Sequence, residues 1–161
     1  MNLQEMEKRL QTLEDIEEIK KVHVRYVNCL TTIKWDELVD CFAEDAVVYL
    51  QKVASGKKAI AKYYKEEASQ RHVGLEGPFC VHPIISVEGD KAKGSWLLYI
   101  KWSHPHKPLP KLDFLCTEDA PDWFQGYHDM EYKKENGKWK ISSLKWQCRL
   151  VSPSTSMSKS V

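Results

Sequence analysis

Residues 13–50 read LEDIEEIKKVHVRYVNCLTTIKWDELVDCFAEDAVVYL, and this stretch restricts the possible folds more than any other part of the chain. Leu3, Met6, Leu10 and Leu13 recur at alternating three- and four-residue intervals, and Ile16, Ile19, His23, Tyr26 and Leu30 continue a helical stripe. The spacing predicts a long amphipathic helix, either continuous or broken near Glu14. Such a stripe ordinarily packs on a core, because a free coiled coil needs more heptads. Trp35, Leu38, Val39 and Phe42 predict a second, short helix, and residues 46–50 a strand. Ser55-Gly56 reads as a cap before a helix through Ile60, Tyr63 and Tyr64.

Beyond residue 78 the pattern turns to β. Residues 79–88 and 91–103 flank Gly89-Asp90 and predict a hairpin. Pairing Glu88 with Lys91 puts Val81, Ile85, Val87, Ala92, Trp96, Leu98, Ile100 and Trp102 on one face; His82, Ser86, Lys93 and Lys101 make the other wetter. A second hairpin surrounds Asn136-Gly137, the dipeptide that a type I′ turn demands. Pairing Glu135 with Lys138 sets His128, Met130, Tyr132, Trp139, Ile141 and Arg149 on one face. Tyr127, Asp129, Leu144, Trp146 and Cys148 then fall on the other. Residues 103–122, with four prolines and no periodicity, predict a long loop or lid, and residues 152–161 a disordered tail.

A length of 161 residues predicts a single domain, here residues 1–151. The net charge of +1, with acids and bases interspersed, leaves no electrostatic footprint for nucleic acid or an anionic membrane. Five cysteines without a CxxC favour reduced thiols, and the charged N-terminus lacks the apolar core of a signal peptide, so a cytoplasmic protein is expected. No G-x-S-x-G elbow, His-paired cysteine motif or glycine-rich phosphate loop is present. His104 and His106 match no usual zinc spacing, so no metal is expected.

Three signatures carry a resemblance to a known family. They are Tyr26-x-x-x-Leu30 leading into Trp35-Asp36-x-Leu38, then Phe42-x-x-Asp45-Ala46, and the closing Y-x-K-x-x-G-x-W-K-I from Tyr132 to Ile141. Over residues 13–150 the chain resembles the SnoaL-like branch of the nuclear transport factor 2-like superfamily. The resemblance implies an α+β fold, a cone-shaped barrel with N-terminal helices over a strongly bent antiparallel sheet. In pattern it is nearest to scytalone dehydratase and the bile-acid 7-alpha-dehydratases. These imply a cofactor-free elimination: a histidine removes a proton beside a carbonyl, an aspartate orients it, and tyrosines hold the enolate.

The dyad does not carry over. Thr31 stands where the aspartate is expected, and can contact substrate but not charge a histidine. Pro78 stands at the histidine position, unless an insertion near residues 74–77 restores His72. The resemblance leaves His128 and Tyr26 as candidate catalytic residues, with Tyr49, Arg149, Trp102 and Thr31 as candidate substrate contacts. For each a bland alternative stands beside the functional one: packing for Tyr26, Tyr49 and Trp102, a satisfied structural histidine for His128, a surface salt bridge for Arg149. His23 is assigned to the helix–sheet boundary. Two functions follow: a cofactor-free lyase or isomerase for a small hydrophobic cyclic or aromatic carbonyl compound, or a non-catalytic ligand-binding or dimerisation module. Epoxide hydrolysis would need a carboxylate pair, for which only Asp129 is on offer. Aromatic residues on both sheet faces predict a homodimer or homotrimer.

Overall fold

The computed structural model describes residues 2–70, 76–102 and 123–151, with only the backbone of Trp102. The first helix, α1 (Leu3–Thr31), is one unbroken element of 29 residues, begun by Asn2, whose side chain accepts from the Glu5 amide at 2.8 Å. It runs straight past Glu14. Its later turns bury Ile19, His23, Tyr26, Val27 and Cys29, while Leu3, Met6, Leu10 and Leu13 remain exposed. The short helix α2 (Trp35–Val39) ends before Phe42, which instead opens strand β1 (Phe42–Tyr49). Strand β2 (Val53–Ser55) leads through Gly56, at φ 81°, into α3 (Lys57–Lys62). A backbone in that left-handed region favours glycine.

One π-helical turn, Tyr63–Glu67, follows α3 directly. The neighbouring residues Tyr63 and Tyr64 of this turn are both buried. Four long strands complete the chain: β3 (Glu76–Glu88), β4 (Lys91–Trp102), β5 (Trp123–Glu135) and β6 (Lys138–Val151). The six strands form one open sheet in the order β2-β1-β6-β5-β4-β3. β1 and β6 run parallel and the other neighbours antiparallel, so the sheet is mixed. The helices cover its inner face, where Phe42, Val48, Ile60, Leu98, Ile141 and Leu144 make a fully buried core.

Both expected turn pairs hold: Glu88 opposite Lys91 and Glu135 opposite Lys138. Away from the turns, bulges alter which face each residue takes. In β3 the register slips between Val81 and Ile84, with His82 at φ 50°. Val81 therefore pairs with Leu97 on the outer face, correcting its expected place beside Trp96, and Cys80 turns inward opposite Leu98. In β6 an extra residue, Ser142, intervenes between the Tyr132–Ile141 and Glu131–Ser143 pairs. Leu144 and Trp146 thereby join Met130 and His128 on the inner face, the reverse of strict alternation. A third bulge sets Arg149 outside the ladder between Cys148 and Leu150.

The helix layer is pinned to the hairpin end by a buried carboxylate. Asp15 of α1 accepts from Trp139 Nε1 at 2.9 Å and pairs with Lys134 Nζ at 2.8 Å. Burial pushes the Asp15 carboxyl up, but the Lys134 and Trp139 hydrogen bonds and the lysine charge outweigh it and hold it below its usual range.

Candidate functional site

Under α1, the inner face of the sheet gathers an aromatic and polar centre. His128 projects from β5 and Tyr26 from α1, with ring centroids 5.9 Å apart, so these two candidates meet. Sequence reasoning missed two further members. His23, one helical turn before Tyr26, is fully buried and places Nε2 3.2 Å from His128 Nδ1. Tyr64, from the π-helical turn, shares a 2.9 Å hydrogen bond between its hydroxyl and that of Tyr26. The signal for His23 was its position within the Ile16-Ile19-His23-Tyr26-Leu30 stripe, where a polar residue interrupts an otherwise core-facing row. Tyr64 belongs to the expected helix face of Ile60, Tyr63 and Tyr64, but nothing local in the sequence pairs it with Tyr26.

Indoles wall this centre. The Trp96 ring stacks on His23 at 3.9 Å and 5°, and Trp96 Nε1 donates to the Tyr132 hydroxyl at 3.0 Å. Trp146 meets His128 edge-on at 5.5 Å. It reaches that place because the Ser142 bulge turns it inward and because Gly126 has no side chain below it.

Burial sets the protonation states. It lowers the His128 imidazole to about 3, and lowers His23 well below its ordinary value with His128 adding to the effect. The Tyr26 and Tyr64 phenols are raised by the same desolvation. At neutral pH the centre is therefore four uncharged, hydrogen-bonding groups in an apolar enclosure. Burial also pushes the Cys41 and Cys80 thiols up to about 11, so neither is a thiolate nucleophile at neutral pH.

The two histidines constrain each other's tautomers. If His128 Nδ1 donates, His128 Nε2 is bare and His23 Nδ1 carries the hydrogen; if His23 Nε2 donates, both assignments reverse. His23 Nδ1 is buried and has no hydrogen-bond partner in either case. A proton taken at His128 Nε2 can thus be passed as a Nδ1–H to His23 Nε2. Where a His–Asp dyad holds a histidine by a carboxylate, His128 is held by a second histidine.

This arrangement predicts a pH dependence of stability. The unfolded histidines bind protons below about 6.5 while the native ones stay neutral, His128 down to about 3. The unfolded state binds more protons across that window, so stability falls as pH falls from 6.5 toward 3. Each such histidine contributes a slope of up to about 1.4 kcal/mol per pH unit. Urea titrations at pH 7, 6 and 5 should show this loss, and His128→Asn should make it shallower.

Tyr49, Arg149 and Thr31 take no part in this hydrogen-bonded centre. Strand alternation sends Val48 inward and Tyr49 outward, where it is 43% exposed on the outer sheet face beside Lys145 and Ile84. Its expected position in the pocket is corrected. Arg149, exposed at its bulge, donates to Gln125 Oε1 at 3.2 Å rather than facing His128. Thr31 closes α1 and donates back to the Val27 carbonyl at 2.9 Å, a local bond that holds its hydroxyl on its own helix. Trp102 ends β4 with its backbone opposite Glu76. Asp129 faces outward, near Ser95 and Gln147. His72, His104 and His106 lie outside the described residues. Among the described residues no three His, Cys, Asp or Glu side chains gather as a metal site, and no helix is long and apolar enough to cross a membrane.

Helices laid over one face of an open, bent sheet, with polar groups converging beneath them, define a cone-shaped α+β fold of the nuclear transport factor 2-like type. The chain belongs to the SnoaL-like domain family, which it matches over residues 11–145. Solved structures share the architecture. A hexachlorocyclohexane dehydrochlorinase, LinA-type3 from Novosphingobium barchaimii LL02, superposes with a TM-score of 0.71 at 14% identity, covering 91% of this chain and 94% of that one. A candidate scytalone dehydratase from Novosphingobium aromaticivorans DSM 12444 gives 0.69 at 17% identity, with 88% of each chain covered. A nuclear transport factor 2-like protein with a cystatin-like fold from Novosphingobium aromaticivorans gives 0.69 at 19%, covering 90% of this chain and 88% of that one. At these identities the likeness is one of fold. Curated proteins gave no significant match.

Proposed function

We propose that the protein is a cofactor-independent lyase or isomerase acting on small hydrophobic, cyclic or aromatic carbonyl compounds. The observation that carries this reading is the convergence of the His23–His128 and Tyr26–Tyr64 pairs within one buried aromatic enclosure. His128 takes a proton from the carbon beside the carbonyl, and the C–H electron pair moves into a new C=C bond as the carbonyl π pair moves onto oxygen. Tyr26, itself polarised by Tyr64, donates a hydrogen bond to that enolate oxygen. The enolate then re-forms its carbonyl: either it expels a β-hydroxyl, which leaves as water with the proton that His128 returns, or, as the dienolate of a β,γ-unsaturated ketone, it takes that proton back from His128 at the γ-carbon. Neither outcome changes the substrate's overall oxidation state. Two similar structures carry the names of enzymes of elimination, a dehydrochlorinase and a scytalone dehydratase, which supports the lyase half of the reading.

The low basicity of His128 belongs to the desolvated centre. An imidazolium formed beside an enolate has a counter-charge at contact distance, which offsets the cost of charging it. One observation favours a second reading, a non-catalytic binding site: the Tyr26 and Tyr64 hydroxyls already satisfy each other, and Trp96 covers a face of His23. The two readings separate on a panel of small cyclic ketones and β-hydroxyketones. A catalyst converts at least one member, and His128→Asn and Tyr26→Phe abolish that conversion; a binding site retains ligand in native mass spectrometry without turnover.

A further inference from the structure

On the outer face of the sheet, at the end far from both hairpin turns, an amide is buried outside the core. Gln125 is only 5% exposed, although strand alternation turns it to the face opposite His128. Both of its amide atoms are used. Arg149 Nη1 donates to Gln125 Oε1 at 3.2 Å, and Gln125 Nε2 donates to the Tyr99 hydroxyl at 2.7 Å. A guanidinium only donates, which fixes the amide oxygen on the Arg149 side and its nitrogen on the Tyr99 side. The Tyr99 oxygen therefore accepts, and its own hydrogen is left to donate elsewhere. Arg149 spends one N–H here and keeps the rest of its fork; among the described residues no carboxylate pairs with it. One buried amide thus holds two outward donors side by side.

Beside those donors stand two partly exposed rings. Tyr99 is 41% and Trp123 37% exposed, with centroids 6.3 Å apart and planes tilted by 47°. Lys101, exposed and directly opposite Trp123 in the ladder, adds a second positive charge. We propose that this cluster binds a small aromatic carboxylate, whose oxygens accept from Arg149 and Tyr99 while its ring lies against Trp123. A guanidinium fork and one hydroxyl match the two oxygens of a carboxylate, and the fork favours a planar anion. The tilted rings offer the stacking and edge contacts that a second aromatic ring prefers. Gln125 is the positioning residue, because it sets the direction of both donors without needing to touch the ligand. The site lies across the sheet from His128, so it stands or fails independently of the proposed chemistry.

Titration of the full chain with phenylacetate at neutral pH, followed through the indole N–H signals by NMR, tests it. Phenylacetate is expected to shift the Trp123 signal saturably. Benzyl alcohol, which has the ring without the charge, should bind about tenfold more weakly or worse. Arg149→Gln should weaken phenylacetate about tenfold and Tyr99→Phe about fivefold. Gln125→Glu keeps the shape but sets a carboxylate against the same donors, so binding should be lost. The exposed Arg149 keeps the test open should Gln125→Glu fail to fold. His128→Asn should leave the affinity unchanged. No saturable shift at Trp123, an affinity indifferent to Arg149→Gln, or one lost in His128→Asn would overturn the inference. So would inorganic phosphate displacing phenylacetate at equal concentration, which would make the cluster a general anion site.

Discussion

Among the described glycines, Gly126 is expected to be the one at which alanine does most damage. A Cβ at Gly126 would fall inside contact distance of the Gln147 carbonyl oxygen and 2.6 Å from Trp146 Cη2. The first obstacle is backbone in the adjacent strand, which no rotamer change can move. Relief requires shifting the β5–β6 ladder at the very place where Arg149 already bulges from it. Overpacking of this kind costs roughly 3 kcal/mol or more when the obstacle is rigid. Gly94→Ala makes an internal comparison: its Cβ would meet the Tyr132 ring at 3.1 Å, a side chain with some freedom, so its loss should be clearly smaller. Urea midpoints of the two variants decide it, and near-equal values would contradict the described packing of Trp146. Because Trp146 also walls His128, any folded fraction of Gly126→Ala should have a disturbed site.

His128→Asn carries the largest expected effect on activity. Asparagine can still offer a side-chain amide hydrogen to His23 from a smaller volume, but it cannot accept a proton from carbon at neutral pH. Loss of a positioned general base lowers turnover by about 10²–10⁴-fold, with a thermal midpoint that changes far less. Tyr26→Phe removes the hydrogen-bond donor for the enolate oxygen and leaves the Tyr64 hydroxyl to take its place in part, so a loss nearer 10²-fold is expected. The two residues act on one transition state, so the double variant should lose less than the product of the single losses. Multiplicative losses would mean that His128 and Tyr26 contribute independently of each other.

The fold was legible because its strongest signals are local. The helix stripe, the Trp35-Asp36 start and the Asn136-Gly137 turn each bias their own few residues, and the hairpin registers follow from the turns. Bulges are not local in this sense. Ser142 looks like an ordinary strand residue, yet one extra residue there moves Leu144 and Trp146 from one face to the other. The site is assembled from such long-range events. Tyr26 and His128 lie on predicted inward faces and meet; strand alternation turns Tyr49 outward, a bulge sets Arg149 outside the ladder, and Thr31 bonds its own helix. His23 was visible as a polar residue within an apolar stripe, but its partner lies 105 residues away and only the tertiary fold pairs them.

The central claim is that His128 can move a proton to and from carbon inside an apolar, aromatic enclosure. Deuterium wash-in tests it without knowledge of the natural product: small cyclic ketones are incubated with the protein in D₂O at neutral pH, and exchange beside the carbonyl is followed by proton NMR. Wild-type protein should accelerate exchange for at least one ketone above the buffer rate, and His128→Asn should return that rate to background. Exchange that is absent across the panel, or equally fast in His128→Asn, would contradict a proton-transfer site at the His23–His128 pair.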